Sequence, residues 1–341
     1  MNSIDGITVL ENASGGGVKT RRRWGTDDVL GSVALVATVV ALPFAIPINI
    51  ATEILIFGIF AMATNLLIGT AGLYSFGQAA FFGVGGYIAG YFSARGLASL
   101  PVAFLIAAIG AGLLAALIGT LSIRRAGIYF MMLTFAFNQL VYYLIYSWHS
   151  VTGGEDGLAG IQRPALDVPF FGTLNFDDNR TFYALASILF FLSIIFLVRL
   201  VNSPFGLVLT AARLNSRRST SLGYSVHTIQ LVAFVIAGAV SGVAGALFGM
   251  LYRIMPIDSV HWVASAYVVF MVLIGGQRTM FGPVIGAAIF VWLQGLFSLV
   301  WARWPLLLGL FVVIVTIYLP GGILDIFARW PGLISRRLGR Q

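Results

Sequence analysis

Few side chains in this chain have the type and placement to meet a substrate. Six uncharged polar residues stand within or between otherwise apolar runs: Asn65, Ser75, Gln78, Thr134, Asn138 and Gln139. Amides and hydroxyls so placed either bond to a neighbouring helix or line a route for a polar solute. They are the candidate substrate pathway. Asn138 and Gln139 are adjacent, so on a helix they point about 100° apart and serve different surfaces. The common reagents of catalysis are missing. With no Cys, thiolate catalysis, disulfides and Cys-based metal sites are excluded together. His149, His227 and His261 are scattered, and no metal spacing, phosphate-binding glycine loop or nucleophile motif occurs. We assign no catalytic residue and no metal ligand. Glu53 and Asp325 fall at the ends of apolar runs, and no charge lies clearly inside one. That counts against proton-coupled carriers and pumps, which need such groups.

The elements that position these residues follow from composition. Hydrophobic residues make up 59% of the 341, and charged residues 9%. A soluble domain carries about 25% charge, so a water-soluble enzyme is excluded. Apolar segments fall near 29–47, 52–71, 75–94, 99–122, 127–148, 181–201, 229–251, 260–275, 282–302 and 305–322. The expected fold is all-α: a polytopic membrane protein of about ten transmembrane helices, with pseudo-symmetric halves and both termini cytoplasmic. It comprises a cytoplasmic tail (1–28), a permease domain (29–325) and a second cytoplasmic tail (326–341). The net charge of +8 supports this topology. Only Arg95, Arg163, Arg180, Arg253 and Arg303 fall on outer loops, and the other basic residues fall inside. Trp148, Trp262, Trp301 and Trp304 sit near expected span ends, as in an aromatic belt.

Two connections are long. Residues 149–180 lie outside and are acidic; residues 202–228 lie inside and are basic. Neither leaves room for a catalytic domain. In the inner one, Ser203 can cap a helix that has Pro204 at its first position. Residues 205–214 then form a short amphipathic helix with Phe205, Val208, Leu209 and Ala212 on one face, and Gly223 suits a stop. Such a helix lies on anionic lipid or docks in a partner's groove.

Glycine is abundant, 40 in all. Gly238, Gly242, Gly245 and Gly249 form a stripe suited to close helix packing. The segment Ala71-Gly72-Leu73-Tyr74-Ser75-Phe76-Gly77-Gln78 reads in two ways. It is a tight cytoplasmic turn, or a broken, re-entrant element near the pathway. Phe76-Gly77 and Phe281-Gly282 both open apolar spans, a hint of internal duplication.

Five segments occur in order: Asn65 to Gly69 running into Gly72-Leu73-Tyr74-Ser75-Phe76-Gly77-Gln78-Ala79-Ala80-Phe81; Leu133 to Gln139; Thr152-Gly153-Gly154-Glu155-Asp156-Gly157-Leu158; Ser203-Pro204-Phe205-Gly206 through Leu222-Gly223-Tyr224; and Gly275-Gly276 with Phe281-Gly282-Pro283-Val284-Ile285-Gly286. Over about residues 50 to 325 the chain thereby resembles the LivM-type permease subunits of branched-chain amino acid ABC importers. The resemblance implies a multi-pass subunit of a bacterial inner membrane, with no nucleic-acid partner. A second permease subunit would pair with it as a heterodimer. A periplasmic binding protein would deliver substrate, with Glu155 and Asp156 as its candidate contact. Two ATPase subunits would bind the ATP, so this chain needs no cofactor. Coupling to them would fall to Ser203, Pro204, Phe205, Gly206, Arg213, Asn215, Arg217, Arg218, Leu222 and Gly223. The implied cargo is a branched-chain or other hydrophobic amino acid, or a related small amide or carboxylate. The chain departs from the family pattern where Leu214 and Ser216 replace acidic residues, and where Gln78 stands in place of His. An ion-coupled carrier acting without an ATPase is the alternative, and a passive channel subunit is a third.

Overall fold

The computed structural model describes residues 39, 41–43, 45–125, 127–168, 172–277, 279–319 and 321–323. Residues Pro47–Gln341 form one compact unit, and Met1–Ile46 a separate one. The first apolar segment and both tails, with Arg278 and Asp325, lie outside the described residues or in that separate unit.

Each of the other nine apolar segments is a helix. They are α1 (Ile48–Asn65), α2 (Gln78–Ala94), α3 (Leu100–Ser122), α4 (Ile128–Ser147), α5 (Asn179–Val201), α8 (Val226–Tyr252), α9 (Trp262–Gly275), α10 (Gly282–Val300) and α11 (Trp304–Tyr318), with α6 (Pro204–Leu214) and α7 (Ser216–Ser221) in the cytoplasmic connection. Helix α1 runs on into a π-helical turn, Leu66–Ala71. Among the described residues six helices are long and apolar enough to cross a membrane: Ile48–Ala71, α3, α4, α5, α8 and α10. The fold is all-α and polytopic as expected, and shorter apolar helices accompany the six long ones among the described residues. Helix α9 has 14 residues, about 21 Å of rise against a bilayer core of about 30 Å.

Helices α2 and α9 both start beside the middles of longer helices. The N-terminus of α2 lies beside Thr134 and Asn138, midway along α4, and beside Ser241, midway along α8. The N-terminus of α9 meets the same point, since Asn138 bonds to Val260 and Ser265 to Ala79. From there α2 rises to the outer loop, where Gly90 packs on Leu158 and Ile161. Helix α9 descends to the cytoplasmic loop, where Gly276 packs on Gly321.

This gives two inverted halves, α1–α4 and α8–α11. The first helix of each packs on the third helix of the other, α1 on α10 and α8 on α3. Each first helix ends at a left-handed residue, Gly72 (φ 72°) or Arg253 (φ 57°). An irregular return to mid-depth follows, 72–77 in one half and 253–261 in the other. In this inverted arrangement the two breaks correspond to each other, whereas Phe76-Gly77 and Phe281-Gly282 do not. The glycine stripe does the packing expected of it. A Cβ on Gly242 would strike Ala111, and one on Gly245 would strike the carbonyl of Phe82.

Candidate functional site

Mid-depth backbone has no water to satisfy it, so each freed N–H at the start of α2 needs a partner. Gly77, the residue before α2, has no side chain to cap with. Other side chains supply the oxygens instead, three of them from distant residues. Ala80 N–H donates to Asn138 Oδ1 (2.9 Å), Ala79 N–H to Ser265 Oγ (2.9 Å), Phe76 N–H to Thr134 Oγ1 (3.3 Å) and Gly77 N–H to Ser75 Oγ (3.1 Å). Asn138 Nδ2 donates in turn to the Val260 carbonyl (2.9 Å), stitching the second break to the first. Gln78 Oε1 accepts from Ser241 (3.2 Å), while Gln78 Nε2 is buried without a partner. The Ser75–Gln78 segment is thus a re-entrant element, not a cytoplasmic turn.

The structure gathers Ser75, Gln78, Thr134 and Asn138, all fully or nearly fully buried. The other two pathway candidates lie elsewhere. Asn65 is at the cytoplasmic end of α1, donating to the Thr279 carbonyl (3.1 Å). Gln139 is half-buried and turned away from Asn138. On the open side of α4 a ladder of rings rises from mid-depth to the outer loop. Phe135 meets Trp262 (5.7 Å), Trp262 meets His261 (5.7 Å), His261 meets Tyr142 (5.2 Å), and Tyr142 leads through Tyr146 to His149 (6.3 Å each). Trp262 is therefore no belt residue at a span end. It opens a half-helix, and its ring lies against the middle of α4. Hydropathy located the segment but could not report its depth.

The cytoplasmic corner is built from α6 and α7. Ser203 precedes α6, with Pro204 first in it, as expected. Its hydroxyl makes no cap, however; it donates back to the Leu200 carbonyl (2.6 Å). Gly206, Leu209 and Ala212 are buried, with Phe205 and Val208 half-buried beside them. A Cβ on Gly206 would strike the Val201 carbonyl, so α6 lies flush on the end of α5. Helix α7 was missed in the sequence, although its signal was there: Asn215 Oδ1 accepts from the Arg218 N–H (3.0 Å), capping it. Gly223 takes φ 89° past its end. Arg217, Arg218, Leu222 and Gly223 are exposed, with Leu207, Leu214 and Leu222 bared to 68%, 81% and 72%. Arg213 is exposed as well, but its guanidinium donates to the Gly69 carbonyl and its stem lies over Gly72.

The outer loop has a matching clamp. Gly153, Gly154 and Gly157 all take positive φ (79°, 63° and 76°), which folds the chain tightly and leaves Glu155 and Asp156 exposed. Leu158–Ala159 pairs antiparallel with Ile254–Met255 in the second break. Arg163 is buried. It donates to the carbonyls of Met250 (2.9 Å) and Leu251 (3.0 Å) in the last turn of α8, and stacks on Phe182. Burial holds its guanidinium below the usual arginine range. Arg253 pairs with Asp177 (3.1 Å) beside it.

Two half-helices meeting at mid-depth between inverted repeats define a membrane permease rather than an enzyme. Residues 46–319 match the family described as branched-chain amino acid transport system, permease component, and the chain belongs to it. It is 31% identical over 318 residues to the high-affinity branched-chain amino acid transport system permease protein LivM of Escherichia coli, covering 86% of this chain and 74% of that one. It is 29% identical to the Salmonella typhimurium LivM over the same shares. It is also 27% identical over 239 residues to the probable branched-chain amino acid transport permease protein LivH of Methanocaldococcus jannaschii, 68% of this chain and 73% of that one. No solved structure matches it. The chain is thus a multi-pass permease subunit of an inner-membrane ABC importer, with ATP hydrolysis left to a separate subunit.

Proposed function

We propose that the chain carries a branched-chain or other hydrophobic amino acid inward as half of a heterodimeric permease. A periplasmic binding protein loads it, and two ATPase subunits drive it. Supporting the heterodimer is the likeness to a LivH as well as to LivM proteins. Two homologous chains can pair about a pseudo-twofold axis.

The observation that carries the ATPase reading is the cytoplasmic corner. Leu207, Leu214 and Leu222 stand bare beside Arg217 and Arg218. Apolar side chains so exposed, with basic residues beside them and glycine after the last, suit a groove in a protein partner. Glu155 and Asp156 are offered to the binding protein in the same way. The route for substrate follows the open face of α4. Its ring ladder contrasts with the all-aliphatic exposed stripe of α3: Val102, Leu105, Ile109, Leu113, Leu117 and Leu121. Imidazole at that depth is costly against lipid, so His261 faces a partner or water. The buried centre holds the half-helices in place beside that route.

The test is reconstitution in liposomes with the partner permease, the ATPase subunits and the binding protein. ATP-dependent leucine uptake that fails when any one component is omitted is the expected result. Uptake by this chain alone, driven by an ion gradient, would establish the carrier instead.

A further inference from the structure

Arg213 is an exposed residue of the cytoplasmic corner, yet its guanidinium already has a partner within the chain. It donates to the Gly69 carbonyl in the π-helical turn that ends α1. Carbonyls in the last turn of a helix lack intrahelical partners and attract a cation. The Arg213 stem covers Gly72, where any Cβ would come within 2.8 Å of Arg213 Cγ. Gly72 is also the left-handed residue at which the chain turns back towards Gln78. So one side chain grips both the end of α1 and the hinge of the re-entrant segment. At its other end α6 lies flush on α5 through Gly206. The inverted half repeats the device. Arg163, from the outer loop, grips the last carbonyls of α8 just before its own left-handed hinge, Arg253.

We propose that Arg213 is a positioning residue that carries displacement of α6 to the Gly69–Gln78 break, and through it to the N-terminus of α2, rather than a contact for the ATPase. The assignment rests on the importer reading above. It separates Arg213 from Arg217 and Arg218, which remain free to meet a partner. A lysine would keep the charge but not the forked geometry.

The experiment uses the full reconstituted importer carrying Arg213→Met, which keeps the stem over Gly72 and removes the guanidinium, and Arg213→Lys. Arg213→Met should cut ATP-dependent leucine uptake about tenfold, in the range of an ordinary coupling energy. The ATPase subunits should still copurify and hydrolyse ATP, and Arg213→Lys should recover part of the uptake. Because the chain has no Cys, spin labels placed through Ala211→Cys and Tyr74→Cys report on α6 and the break directly. Their separation should hold through the ATP cycle with Arg213 in place, and change with Arg213→Met. Loss of the ATPase subunits from Arg213→Met, or unchanged uptake, overturns the proposal. If Arg213→Met does not fold, labels that separate during the cycle with Arg213 present overturn it equally. Absence of ATP-dependent uptake by the unsubstituted assembly would count against the importer reading, not against Arg213.

Discussion

Asn138 bonds both breaks at once, through Oδ1 to Ala80 and Nδ2 to Val260. Replacing it with Ala removes two interhelical bonds and strands the buried Val260 carbonyl, while the Ala80 N–H keeps the Gly77 carbonyl (3.2 Å). Such bonds are each worth about 0.6 kcal/mol in a membrane, and stranded groups add more. Asn138→Ala should therefore lose about 2 kcal/mol, read as a lower unfolding midpoint in detergent. Gln139, one residue on, should behave oppositely. It is half-buried, and its Oε1 is buried with no partner among the described residues. Gln139→Ala removes an unsatisfied buried oxygen and should leave the unfolding midpoint in place or raise it. The pair shows what sequence makes legible at this scale. Adjacent helical amides must point apart, and they do. Which of them is buried depended on α2 beginning beside α4, and no local pattern reports that.

Helix type and order were readable almost throughout, because apolar runs of span length have one stable outcome in lipid. Depth was not. A six-residue glycine-rich break looks the same in composition whether it turns at the cytoplasmic surface or climbs to the middle, and Trp262 looked like a belt residue for the same reason. The short cap of α7 was overlooked because serines and arginines carry no apolar period. At the element scale the strongest constraint is the seam between α2 and α8. Gly245 stands against the Phe82 carbonyl and Gly85 against Gly242. Gly245→Ala would force these backbones apart at a cost of about 1–3 kcal/mol. Assembly-competent yield should fall, whereas Gly295→Ala, which meets open space, should be silent.

The whole subunit reads as one motif used twice, upside down, with an arginine at each hinge. Arg163 sits where a binding protein would arrive, and Arg213 where the ATPases would push. If the two clamps are counterparts, Arg163→Lys should weaken stimulation of ATP hydrolysis by loaded binding protein while leaving unstimulated hydrolysis unchanged. The inverted arrangement has a further effect. Because α2 and α9 start at the same point and run apart, two helix N-termini face each other at the centre of the bilayer. Each carries roughly half a positive charge. A sodium ion or proton passing through would meet that potential where the membrane is least able to screen it. The resting subunit should therefore be tight to cations, and liposomes containing it should hold an imposed proton gradient as long as empty ones do. An importer that spends ATP on each substrate molecule can then sit in an energised membrane without draining it.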